Sequence, residues 1–234
     1  MSLANDRGDL KELVIAVDGP SASGKGTVSR EVASALGLTW IDTGALYRVV
    51  ALLGQRSGVS PSSGEALARL VEESEIVLSW GRSGTSLTVN GEEFAGLIRT
   101  EEVGRGASDV AKQPAVRKAL LNLQRDMAAR GGVVMDGRDI GSVVLPSADL
   151  KVYLTASLKV RSQRRFEEQQ KHGVEMTYEQ VESAISARDL QDMTRAHAPL
   201  VQASDAFSVD TSHLTVREAV ELIVELATQV VKTH

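Results

Sequence analysis

The chain has 234 residues, no cysteine and a formal net charge of −5. That length suits one sizeable domain carrying an insertion, or two small ones, and the composition is that of an ordinary soluble globular protein. Without cysteine there is neither a disulfide framework nor a thiolate metal site, and the acidic balance argues against a broad nucleic-acid footprint, which needs a basic face.

Residues 1–12 are polar, lack the apolar stretch of a secretory leader, and read as a flexible tail on a cytoplasmic protein. No apolar run is long enough to cross a bilayer, so no membrane partner is expected. Leu13 to Asp18 is a continuous apolar run ending in a carboxylate, the pattern of a strand buried on both faces of a parallel sheet. From Lys25 the period turns helical, with Val28, Val32, Ala35 and Leu36 on the stripe and Gly37 as the stop. Extended pieces recur at Thr39 to Asp42, Val133 to Asp136, Leu150 to Leu154 and Ala206 to Asp210, with helical stretches between them. Strands alternating with helices predict an α/β fold with a five-stranded parallel core sheet.

One segment breaks that rhythm. Ser62 and Glu65 have capping-box spacing for a short helix to Glu73. Ile76, Leu78 and Trp80, then Leu87 and Val89, alternate with polar residues around a turn and lead into Asn90-Gly91, a hairpin signal pointing to a third strand. An antiparallel patch inside a parallel architecture predicts an inserted subdomain, placed at 58–110. Downstream, Val116, Leu120, Leu123 and Met127 form a helix stripe ending at Gly131, and Thr215 with Glu218 has capping-box spacing for a last helix to about Val231.

Between the first strand and helix lies Gly19-Pro20-Ser21-Ala22-Ser23-Gly24-Lys25-Gly26-Thr27, which has P-loop spacing. Glycines let backbone N–H groups turn inward around phosphate oxygens, the helix N-terminus adds its dipole, and Lys25 is placed to bridge the β- and γ-phosphates. Gly26 stands where the motif usually has Ser or Thr, and Thr27 comes one later. The usual hydroxyl ligand for magnesium is therefore displaced, although phosphates and waters commonly hold that ion. Asp136 ends the apolar run at 132–135, which suits a Walker-B-like carboxylate and a structural Asp equally well. Arg outnumbers Lys and is clustered, as expected for a small anionic ligand held by planar guanidinium forks. The histidines are scattered without metal or triad spacing, and no Asn-Lys-x-Asp guanine-reading motif is present, which removes the P-loop switch proteins as an alternative.

Four blocks in order identify the family resemblance. The P-loop, Asp42-Thr43-Gly44-Ala45-Leu46-Tyr47-Arg48, Asp136-Gly137-Arg138-Asp139-Ile140-Gly141, and Arg188 to Arg195 followed by Ala198-Pro199-Leu200 resemble the bacterial cytidylate kinases over about residues 13–228. The resemblance implies a P-loop kinase core (13–57, 111–156 and 178–234), the insertion at 58–110 as a monophosphate-binding subdomain, and a short lid at 157–177. It implies ATP with Mg2+ as donor, CMP and dCMP as acceptors, and a monomer with no nucleic-acid partner. Gly19 to Thr27 would bind ATP; Thr43, Arg48, Arg138 and Arg188 would surround the acceptor phosphate and sugar. Ser108, Arg117 and Asp139 would face the cytosine, and Asp192 the ribose. Lys25, Arg138, Arg164, Arg188 and Arg195 would carry the charge of the transferring group. Spacing alone favours a solvated ion-pair row for Arg188, Asp192 and Arg195, which fall on one face of a continuous helix; the resemblance favours a site.

Overall fold

The computed structural model describes residues 10–81, 84–171 and 173–233. They fall into two compact units, one within Met1–Trp40 and Gly131–His234, the other Ile41–Arg130. Residues 1–9 of the tail expected at 1–12, and the hairpin turn at 82 and 83, lie outside the described residues; residues 10–12 are not a free tail, since Leu10 packs against the core of the first unit and the Glu12 carbonyl accepts from Gly132 N at 3.0 Å.

The five-stranded sheet holds strands β1 (Val14–Asp18), β2 (Thr39–Asp42), β6 (Val133–Gly137), β7 (Leu150–Thr155) and β8 (Phe207–Asp210), in the order β2-β6-β1-β7-β8, and lies in the first unit apart from Ile41 and Asp42 at the end of β2. β1 sits at the centre, parallel to β6 and to β7, with Ile15 opposite Val134 on one side and Leu150 on the other. Its continuous apolar run is explained by that position, because both faces of a central parallel strand are covered. Helices α1 (Lys25–Leu36), α6 (Leu158–Lys171), α7 (Tyr178–Thr194) and α8 (Val216–Thr233) belong to the same unit. Its core gathers Ile15, Val17, Val28, Val32, Val134, Val152 and Leu154 with Ala219, Ile223 and Ala227 from α8.

The second unit holds α2 (Thr43–Arg56), α3 (Gly64–Glu72), the antiparallel strands β3 (Ile76–Gly81), β4 (Gly84–Val89) and β5 (Glu92–Glu93), α4 (Glu101–Val110) and α5 (Pro114–Ala128). Leu46, Val49, Leu67, Leu87, Phe94, Val116 and Leu120 make a separate core. Asn90 and Gly91 both take positive φ (51° and 81°), the geometry of a primed two-residue turn, and deliver the expected third strand.

Thr215 and Glu218 reciprocate as a capping box, with Glu218 N 3.2 Å from the Thr215 hydroxyl and Thr215 N 2.8 Å from the Glu218 carboxylate. Ser62 caps nothing: its hydroxyl lies 2.9 Å from that of Ser60, and α3 begins one residue later than a Ser62 cap would allow, at Gly64. A second capping box, Thr177 with Gln180, opens α7.

Candidate active site

The loop after β1 has the backbone its sequence demands. Gly19 passes so close to β7 that a Cβ there would stand 2.0 Å from the Leu154 carbonyl oxygen. Gly24 caps α1 in the left-handed region (φ 87°), and Ala22 also takes positive φ, 57°. Successive inward-turned N–H groups at a helix N-terminus make an anion cradle. Lys25 is buried there, its Nζ donating to the Pro20 carbonyl at 3.0 Å. Burial, with Arg138 and Arg188 nearby, lowers its pKa from 10.5 to about 7, while Asp136 and Asp192 pull upward. An arriving phosphate would reverse that balance by supplying negative charge.

Arginine and aspartate side chains of the same unit interlock beside the cradle. Arg138 donates from Nε to Asp192 Oδ2 at 2.7 Å and from Nη2 to the Ser21 hydroxyl at 3.2 Å. Arg195 reaches Asp139 Oδ1 at 3.3 Å and lies 3.8 Å from Asp192 Oδ1. Burial pushes the Asp192 carboxyl up, but Arg138, Arg188 and Arg195 outweigh it and hold it below the usual carboxylate range. Arg188, Asp192 and Arg195 do not form a solvated surface row, since Asp192 and the Arg195 side chain are buried and Arg188 is half-buried. The helix does not run through all three positions: α7 ends at Thr194 and Arg195 is its extended C-cap, so the guanidinium returns to Asp192 from outside the helix. Arg164 on α6 donates to the Thr211 hydroxyl at 3.0 Å and its carbonyl at 2.7 Å, and its Nη1 lies 3.8 Å from where a Gly24 Cβ would stand.

In the second unit, Thr43 is buried at the start of α2, behind its N-cap Asp42. Arg48 donates to the Ile98 carbonyl at 3.1 Å, and the Arg117 guanidinium carbon lies 5.6 Å from the centre of the Tyr47 ring. Ser108 bonds back to the Gly104 carbonyl one turn earlier in α4, at 3.4 Å.

Several residues of the site were not legible in the sequence. Asp189 accepts from Ser21 N at 2.9 Å and pairs with Arg161, which in turn donates to the Ser21 carbonyl at 2.9 Å. Both backbone groups of one P-loop residue are thus held by a buried ion pair spanning α6 and α7. Arg161 lies inside the stretch 157–177 expected as a lid; its place against the loop depends on a contact between residues 140 positions apart. Asp18 Oδ1 and Oδ2 accept from Ile140 N and Gly141 N, each at 2.8 Å, which clamps the segment carrying Arg138 and Asp139. Burial raises Asp18 to about 6, against those two bonds. Trp40 donates its indole N–H to Asp136 Oδ1. The only warning of Asp18 was its position, a carboxylate ending an apolar strand.

The sequence matches the family described as cytidylate kinase over residues 15–229. The chain belongs to the cytidylate kinase family. A cytidylate kinase of an Exiguobacterium species is 45% identical over 220 residues, covering 94% of this chain and 98% of that one. One from Neisseria meningitidis is 46% identical over 215 residues, covering 92% and 97%. Among solved structures, an uncharacterised protein from Eubacterium ventriosum shares the fold at a TM-score of 0.53 and 11% identity, over 92% of this chain and 98% of the other.

Among the described residues no group of three or more His, Asp or Glu side chains could hold a metal ion, and no helix is long and apolar enough to cross a membrane. The donors present suit magnesium carried on a triphosphate, which takes one or two carboxylates and fills its other positions with water and phosphate oxygens. Asp136, buried at the end of β6 and close enough to raise the Lys25 pKa, is the carboxylate so placed.

Proposed function

We propose that this protein moves the γ-phosphoryl group of ATP onto CMP or dCMP, giving ADP and CDP or dCDP. The observation that carries the reading is the P-loop lysine buried in one cluster with Arg138, Asp192 and Arg195, in a chain of this family. An acceptor phosphate oxygen is already anionic near neutral pH, so the nucleophile needs no general base. What the chemistry requires is two polyanions held in line against their repulsion. Gly19 to Thr27 bind the ATP phosphates, and Lys25 meets charge at the transferring group. Magnesium bound with ATP would be held through Asp136, directly or through water, and would supply further charge neutralisation.

Arg138 and Arg188 take the acceptor phosphate, Asp192 the ribose, and Asp139 the cytosine amino group; Thr43, Arg48, Ser108 and Arg117 are assigned to the acceptor by the same resemblance. Before ligand arrives, carboxylates partner the half-buried Arg138 and the buried Arg195 side chain, so these cations are not left bare. Arg164 and Arg195 approach the phosphoryl group in flight, 157–177 acts as a lid, and 58–110 is the monophosphate-binding insertion. The enzyme works as a cytoplasmic monomer with no nucleic-acid partner.

The test is a coupled ADP-release assay with ATP, Mg2+ and a panel of monophosphates, in which CMP and dCMP should give the highest kcat/KM. AMP or GMP ranking first would refute the assignment. Uracil replaces the amino donor of cytosine with an acceptor, so UMP sets oxygen against the Asp139 carboxylate. Mismatched buried polar groups cost about 1–3 kcal/mol each, or roughly ten- to hundredfold in discrimination. Asp139 also accepts from Arg195, so Asp139→Asn is the better probe than Ala, since it keeps an acceptor oxygen for that guanidinium. The CMP-to-UMP ratio should narrow in this variant; equal losses for both would remove Asp139 from base reading.

A further inference from the structure

Gly26 is the one departure of the loop from P-loop spacing, and it leaves the position after the lysine without a hydroxyl. In P-loop enzymes that hydroxyl and a carboxylate at the end of a neighbouring strand share the magnesium. Here the space beside position 26 faces an indole: a Cβ on Gly26 would have Trp40 Cζ2 as its near neighbour at 3.7 Å, an ordinary contact. Trp40 stands on β2, beside β6 in the sheet, and its Nε1–H donates to Oδ1 of Asp136 at the end of β6. Asp136 is buried, and its charge acts on Lys25. The Arg30 guanidinium carbon lies 5.9 Å from the centre of the Trp40 ring, and the half-buried ring also packs against the core of this unit.

An indole N–H is a donor that never titrates and cannot itself accept. A carboxylate bonded to it loses rotamer freedom. We infer that Trp40 is a positioning residue for phosphoryl transfer, its indole N–H fixing the Asp136 carboxylate beside the P-loop. Asp136 touches the reacting complex; Trp40 acts only through it. The inference rests on the reading of this loop as the site of ATP and its magnesium.

Trp40→Phe keeps an aromatic ring over Gly26 and removes the donor. A merely structural role predicts a lower Tm and no selective effect on magnesium. The experiment is calorimetric titration of the full chain with ATP, with and without Mg2+, for the wild type, Trp40→Phe, Asp136→Asn and the double variant. The wild type should bind ATP more tightly with Mg2+. Trp40→Phe should lose about tenfold of that gain, the scale of one hydrogen bond to a charged group, while magnesium-free affinity stays within about twofold. In the Asp136→Asn background the same substitution should change the gain by less than about twofold, because a residue acting only through a partner has no effect once the partner is gone.

Equal magnesium gain in wild type and Trp40→Phe, loss of affinity equal with and without Mg2+, or additive effects in the double variant would each overturn the inference. A wild type that fails to bind Mg2+–ATP would overturn the P-loop reading and this inference with it. If Trp40→Phe fails to fold, benzothienylalanine at position 40 replaces only the N–H with sulfur, and the same outcomes apply.

Discussion

At the scale of single residues, three buried groups of the site, Lys25, Asp18 and Asp192, have their ordinary ionisation altered by their surroundings. Lys25, with its pKa lowered to about 7, is partly neutral in the ligand-free protein at neutral pH. A polyphosphate beside it restores the cation, so ATP binding at pH 8.5 should take up protons, approaching one per ATP, while at pH 6 uptake from Lys25 should vanish. Calorimetry in buffers of different ionisation enthalpy reads this directly, and Lys25→Ala should abolish the difference. The same variant should cut kcat by about a hundredfold or more while circular dichroism stays native, since a transition-state charge contact is gone. Near-normal turnover in a folded Lys25→Ala would remove this residue from the mechanism. The linked stability terms have opposite signs. The depressed Lys25 pKa stabilises the ligand-free fold above about pH 10.5, a contribution lost as pH falls through about 7; the raised Asp18 pKa stabilises it below about 3.8, lost as pH rises through about 6. Residues of the phosphate cradle were legible because a P-loop is a local object: nine consecutive residues, one strand and one helix. Asp189 and Arg161 were not, because their role is a contact across 28 residues that turns what reads as a lid cation into a buried prop for Ser21.

At the scale of elements, strand and helix positions followed from periodicity, while helix starts depended on which candidate cap the chain could use. Ser-x-x-Glu spacing at Ser62 is undone by a serine turn, with Ser63 N bonded to the Ser60 carbonyl at 2.9 Å. Thr177 and Gln180 satisfy both directions of the box, with Thr177 N 2.8 Å from the Gln180 side chain and Gln180 N 3.3 Å from the Thr177 hydroxyl. That box starts α7, the helix bearing Arg188, Asp189 and Asp192. The proposed lid precedes it, and its base is anchored: Arg161 is held at Ser21 and Ala156, and Arg164 at Thr211. Movement of the proposed 157–177 lid would have to break these bonds or be confined to the stretch after Arg164. Thr177→Ala should cost about 1 kcal/mol of stability and fray the first turn of α7. Hydrogen exchange should then rise at 178–181 in the variant and stay unchanged at 161–164, where the anchoring bonds are independent of the cap. Equal exchange changes in both stretches would show that the lid base and the α7 start open together, against this account.

At the scale of the whole chain, two apolar cores stand where composition alone could only offer one domain or two. One is centred on the parallel sheet and α8, the other on α2, α3, α5 and the antiparallel hairpin. The hairpin alternation announced the second core, but its extent was hidden, because the stripes of α2 and α5 look like those of any helix packed on a sheet. Separate cores need not unfold in one transition. Leu120 and Ile223 are both fully buried, one in each core, and truncating either to Ala should cost about 2–5 kcal/mol. Each variant should raise hydrogen exchange chiefly in its own unit: Leu120→Ala within 41–130, Ile223→Ala within 10–40 and 131–233. A ligand stabilises what it binds, by about 2.7 kcal/mol at a concentration one hundred times its Kd. If Mg2+–ATP occupies the P-loop, it should restore protection in Ile223→Ala and leave the exposed 41–130 peptides of Leu120→Ala largely unrescued. Peptide-resolved exchange on the full chain, with and without Mg2+–ATP, decides the matter: rescue of both variants to the same degree would mean that the two cores form a single cooperative unit.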